Sequence, residues 1–223
     1  MQPILSRLPA KGNDEFEVDI DIIDDNLEYL FASSGVEGIH SDSELSKSVL
    51  YTRSRLPSID RASFHLWQAL HSFQCISTKY KQGFPCSGSS LSLIKKSFNW
   101  NQLSHLPLQD EHTWFAVAIQ SKRKRDCGSL SLFEVNKLYH EEAIRSGGLL
   151  MFWLGQLDPI TGFNFTTFIW QSYQDAIKAA KLPFHAKADS FAKKAYQSVQ
   201  ITRYSIKKLK GESRIRLELW KED

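Results

Sequence analysis

The chain has 223 residues, 42% of them hydrophobic and 24% charged, with fourteen Phe, seven Tyr, six Trp and a net charge of +3. That apolar content excludes a wholly disordered chain, and the length suits one large domain or one domain with a sizeable extension. No run approaches the ~18 apolar residues of a membrane helix, and the opening MQPILSRLPAKGNDE lacks a signal-peptide apolar core, so a soluble intracellular protein is expected.

Residues 1–110 hold 10 Lys/Arg against 13 Asp/Glu, whereas residues 111–223 hold 18 against 12. The acidity is concentrated in residues 13–28 (NDEFEVDIDIIDDNLE), with eight acids and no base. Asp19, Asp21 and Asp24 lack the glycine and the closing glutamate of a calcium loop. Residues 1–59 therefore read as an acidic, partly disordered leader, with docking against the basic half as the alternative.

Residues 60–110 read as a helix and a Gly/Ser-rich loop packing on the core. Asp60 is placed to cap RASFHLWQALHSF, in which Phe64, Trp67, Leu70 and Phe73 recur at helical spacing. His65 and His71 are six apart and so diverge around that helix, which argues against a shared metal. The stretch 82–92 (QGFPCSGSSLS) reads as a surface loop. Cys75, Cys86 and Cys127 show neither C-x-x-C nor His-paired spacing, so neither zinc nor a disulfide framework is indicated.

Residues 111–223 read as a βαββαβ unit: a strand at 114–122, a helix at 129–146, two strands within 149–170 joined by a Pro/Gly turn, a helical stretch at 172–196 broken at Pro183, and a last strand ending at Lys208. This order is ferredoxin-like and gives the fold class α+β. An alternating segment near 213–222 predicts one further strand, paired with its predecessor through Lys210 and Gly211. In the first strand Phe115, Val117 and Ile119 share one face and Trp114, Ala116 and Ala118 the other. Strict alternation in the second strand sets Leu150, Phe152 and Leu154 against Leu149, Met151 and Trp153. The third sets Phe163, Phe165, Thr167 and Ile169 against Asn164, Thr166, Phe168 and Trp170. Both sheet faces are apolar, yet the two helices of such a unit cover one. The other face must be buried by a second copy, by the leader helix or around a ligand.

Two histidines stand out. His185 follows the break at Pro183, where a histidine commonly caps or bonds a turn and ligand contact or catalysis is the alternative. His140 lies beside Glu141 and Glu142 in the first helix of the unit, with a solvated face as the simpler reading. No G-x-S-x-G, Walker loop or G-x-G-x-x-G is present, and Gly147-Gly148 suits a tight helix-to-strand turn better than a phosphate loop.

The HEEA-x-x-SGGLL join, the N-x-x-T-x-IW strand from Asn164 to Trp170, and the H-A-K-A turn at His185 together resemble the fungal UPF0643 family of uncharacterised proteins, over about residues 65–208. The resemblance implies no activity that can be carried over and a location in cytoplasm and nucleus. The layout also looks like the dimeric α/β-barrel superfamily, in which two ferredoxin-like units pack open sheet faces together. That resemblance implies a homodimer through the open face. Several groups of the superfamily are small oxygenases, cofactor-free or haem-degrading, using His, Asn or Trp beside an apolar cavity. The matching residue types here are His140, Asn164 and His185 as catalytic candidates, with Trp153, Phe168 and Trp170 as pocket candidates.

Three functional classes follow. The first is a protein with no assignable reaction whose pocket takes an apolar small molecule, without cofactor or metal. The second is a small monooxygenase or oxidoreductase. The third, nucleic-acid binding, draws on the basic excess and the run Lys122-Arg123-Lys124-Arg125, and is disfavoured because no RNA-recognition motif is present.

Overall fold

A computed structural model describes residues 49–51, 59–77, 79, 90–125, 142–155 and 157–221. The readings of the leader before residue 49, of the loop 82–89, of Cys86, Cys127 and His140, and of the first connecting helix before residue 142 fall outside the described residues.

The strands are β1 (Val49–Tyr51), β2 (His112–Arg123), β3 (Leu149–Leu154), β4 (Phe163–Trp170), β5 (Tyr196–Lys208) and β6 (Ile215–Leu219). The helices are α1 (Arg61–Leu70), α2 (Ser90–Ser97), α3 (Tyr173–Ala180) and α4 (Pro183–Ala195), with a 3-10 turn at Trp100–His105. The sheet runs β1-β3-β4-β2-β5-β6, antiparallel throughout. Its four central strands carry the order of a ferredoxin-like βαββαβ unit, and the fold is α+β as the element order predicts.

One face carries the helices of the unit. Phe115, Leu149, Phe152, Phe168 and Trp170 pack there against Ala143 and Ala179, with residues 142–145 helical and α3 beside them. The opposite face is covered by the same chain. Leu66, Trp67 and Leu70 from α1, Leu91 and Ile94 from α2, and Trp100, Leu103 and Leu106 lie over Trp114, Ala116, Ala118, Trp153, Phe165 and Tyr204. Ala116 and Ala118 are small, which leaves depth for the large aromatics around them. Phe98 is the hub of the layer. It stacks on Phe73 at 4.7 Å and meets Trp153 edge-on at 4.9 Å. The face on which a homodimer is expected from sequence is thus occupied by α1, α2 and the 3-10 turn.

Polar contacts fix this cover in place. Asp60 caps α1 by accepting from the Ser63 amide at 2.9 Å, and the Ser63 hydroxyl accepts from the Trp114 indole of β2, also at 2.9 Å. Asn99 ties both ends of the cover together: its Oδ1 accepts from the Gln74 amide and its Nδ2 donates to the Ser72 carbonyl. Beneath them, the buried hydroxyls of Thr167 and Tyr204 bond at 2.9 Å across the sheet. Burial raises the Tyr204 hydroxyl far above its usual range, although its bond to Thr167 acts the other way.

Four details depart from the sequence-based expectations. The apolar side of α1 is Ser63, Leu66, Trp67 and Leu70, and Phe64 sits at its margin. Helix α2 starts at Ser90, so residues 90–92 are helical where a loop is predicted. The three residues of β1 extend the sheet beyond β3, inside the segment assigned to the leader. In β3 the register against β4 shifts between Leu149 and Met151. This bulge sends both Leu150 and Met151 to the α1 side and returns Phe152 to the helix side, where strict alternation fails.

Candidate functional site

The helix side of the sheet holds a cavity of about 60 Å³. Its floor is built from alternate residues of three neighbouring strands, including Val117, Phe168, Trp170 and Arg203. Its roof is α3, which lines it with Ile177 and with Ala176, Ala179 and Ala180, the three alanines being too short to fill the space that longer side chains would close. Ser172 starts this helix, accepting from the Asp175 amide at 3.1 Å. At one side Phe115, Tyr173 and Trp220 meet as three rings with centroids 4.9–5.2 Å apart.

His185 enters the wall from the first turn of α4. Pro183 opens that helix, because a ring without an N–H is tolerated where no helical partner exists. Leu182 stands at the N-cap and offers no side-chain acceptor. The acceptor comes from the first connecting helix: Glu142 Oε2 takes the His185 amide at 3.1 Å. Burial raises the pKa of the Glu142 carboxyl above its ordinary value, against the amides of Phe184 and His185 and the charge of Lys187. Burial lowers the pKa of the His185 imidazole, with Asp189 pulling the other way, so the ring favours its neutral form. Asp189 is itself paired with Lys193 at 2.7 Å.

The sequence-derived candidates separate in space. His185, Phe168 and Trp170 line this one cavity. Trp153 is buried on the opposite face of the sheet against Phe98, so it belongs to the α1 cover and not to a pocket shared with His185. Asn164 lies in β4 outside the cavity lining, with its Oδ1 buried and no hydrogen-bond partner among the described residues. Arg203 joins His185, Phe168 and Trp170 in the lining, although residue type alone does not single it out. The alternation of β5 sets it on the helix side with Ile201 and Ser205, opposite Val117 of β2, and that alternation is the signal that could have found it.

The basic run is partly used by the fold. Lys122 lies over the Phe163 ring at 5.5 Å, and Lys124 Nζ donates to the Lys194 carbonyl at 2.8 Å, satisfying the C-terminal end of α4. Among the described residues no three His, Cys, Asp or Glu side chains gather as a metal site, and no helix is long and apolar enough to cross a membrane. A cavity of about 60 Å³ does not fit a haem. It suits a short apolar group, with His185, Arg203 and Tyr173 as its polar lining residues.

Solved structures similar to the chain include a proposed antibiotic biosynthesis monooxygenase from Nitrosomonas europaea, at 14% identity over 43% of this chain and 90% of that one, TM-score 0.37. A proposed monooxygenase from Fusobacterium nucleatum overlaps at 15% identity over 50% and 46%, TM-score 0.37. One from Chloroflexus aurantiacus, another proposed antibiotic biosynthesis monooxygenase, overlaps at 15% identity over 44% and 96%, TM-score 0.34. Likeness at this level says nothing about activity. No curated protein matches the chain. The PB2B2.08-like family model matches residues 50–219, from β1 to the end of β6, and the chain belongs to that family.

Proposed function

We propose that the chain is a small-molecule-binding protein that takes a short apolar group between the sheet and α3. The observation that carries this reading is the cavity itself, walled by aromatic and aliphatic side chains and roofed mostly by alanines. Its volume, about 60 Å³, is roughly two-fifths of the ~150 Å³ in which an engineered dry cavity binds benzene. The buried part of the ligand is therefore a few carbons long. The chain is further read as a UPF0643 protein of cytoplasm and nucleus, a reading supported by the HEEA, N-x-x-T-x-IW and H-A-K-A segments.

The test is an amide chemical-shift titration of the full chain with xenon and with 1-propanol. Shifts at Phe168, Ala176 and Ala180 are expected. Shifts scattered over the surface, with none at these residues, would overturn the reading.

A second reading, a small cofactor-free oxidoreductase or monooxygenase, is favoured by one observation: His185 stands in the wall as an imidazole that burial keeps neutral, and a general base must start unprotonated. Dioxygen consumption with candidate substrates, lost in His185→Gln while that variant still binds xenon, would support it. Consumption unchanged in that variant would exclude His185 from the chemistry.

A further inference from the structure

We propose that the ligand of this cavity is a short-chain monocarboxylate whose carboxylate pairs with Arg203, an inference that rests on the binding reading above.

Arg203 sits on β5 opposite Val117, half-buried on the apolar helix side, and its carbonyl accepts from the Trp220 amide at 3.0 Å as the chain leaves β6. The guanidinium keeps its charge, and beside apolar walls an anion satisfies it better than a neutral ligand does. Among the described residues none supplies one. The described acids of the neighbouring elements pair elsewhere: Glu218 with Lys207 at 2.7 Å, Asp189 through its Oδ2 with Lys193, Asp175 with the Ser172 hydroxyl, and Glu142 with the amide of His185. Among the described residues, the partner that Arg203 lacks is a negative charge.

The form of that anion follows from the rest of the wall. A guanidinium presents parallel N–H groups that match a carboxylate's two oxygens. A phosphate dianion would call for more donors than Arg203, His185 and Tyr173 supply, and the rest of the wall, with Phe115, Val117, Ile119 and Ile201, is apolar. Those side chains suit an alkyl tail. The cavity volume then limits the tail to about two to four carbons, judged against the ~150 Å³ that holds benzene. Propionate and butyrate fit this description.

The experiment is a pair of amide-shift titrations on the full chain at neutral pH, one with butyrate and one with its neutral isostere butyramide, repeated on Arg203→Met. In the native chain butyrate should bind about tenfold more tightly than butyramide, as a charge-assisted pair implies. In Arg203→Met that preference should vanish, with the shift map elsewhere unchanged as the check on folding. Equal affinity of acid and amide in the native chain would overturn the inference while leaving the binding reading intact, and this comparison needs no variant. A preference that survives in Arg203→Met would also overturn it. If neither compound, nor xenon, shifts the cavity residues, both readings fall together.

Discussion

Glu142 caps helix α4 from another element, its Oε2 accepting the His185 amide at 3.1 Å across 43 positions of sequence. The contact joins the HEEA segment to the H-A-K-A turn, two pieces that are far apart along the chain and carry the family resemblance. Replacing Glu142 with Ala should cost about 1 kcal/mol of stability, the usual cost of a lost helix cap. Glu142→Gln retains an acceptor and should lose less. Urea unfolding of the three proteins decides the matter, and equal midpoints would mean that the contact contributes nothing.

The imidazole of His185 gives stability a defined pH dependence. Its folded pKa lies below the ordinary 6.5 because burial disfavours the charged ring, so below pH 6.5 the unfolded chain takes up a proton that the folded chain resists. Stability should fall as the pH drops from 6.5 toward the lower folded value, then level off with respect to this group. Above 6.5 the group contributes no slope. Asp189, Glu142 and Lys187 remain in His185→Gln, so subtracting its pH profile from that of the native chain isolates the ring. A difference curve that is flat between pH 5 and 8 would contradict the burial argument.

How far the sequence anticipates this architecture depends on the range of the interaction concerned. Alternation along β2 and β4 assigns both faces correctly, because a strand's period of two is local. The bulge in β3 defeats the same rule, since the extra residue is set by pairing with β4 and leaves no mark on LLMFWL itself. Helix α2 hides its start in a serine-rich stretch that looks like loop, and β1 is too short for periodicity to register. At the site, His185, Phe168 and Trp170 converge, whereas Trp153 falls on the other side of the sheet. Residue type suggested the grouping, and only tertiary placement could divide it. Arg203 leaves no signal in the sequence by residue type, since an arginine in a strand is ordinary until its neighbours prove apolar.

The α1 cover predicts a single-chain particle. Light scattering should give a mass near 25.6 kDa, and Leu70→Ala should lower stability by about 2–5 kcal/mol without changing that mass. A particle of twice the mass that splits on this substitution would mean that the face meets a second copy.

The paired glycines before β3 should respond unequally to alanine. Both have positive φ, +83° at Gly147 and +74° at Gly148, where a side chain costs about 1–2 kcal/mol. A Cβ at Gly147 meets nothing within 4 Å, but one at Gly148 would lie 2.5 Å from Cγ of Asp175, the residue bonded to Ser172 at the start of α3. Gly148→Ala should therefore be the more damaging change in thermal unfolding. The reverse order would show that Asp175 moves aside readily.

Because α1, α2 and the 3-10 turn are tethered to the sheet they cover, their docking is governed by an effective concentration fixed within one molecule and not by mass action between molecules. Thermal unfolding should then occur at the same temperature across a wide range of protein dilution. A sheet closed by a second subunit would melt earlier as it was diluted. The cover in cis makes burial of the aromatic face independent of how much of the protein is present.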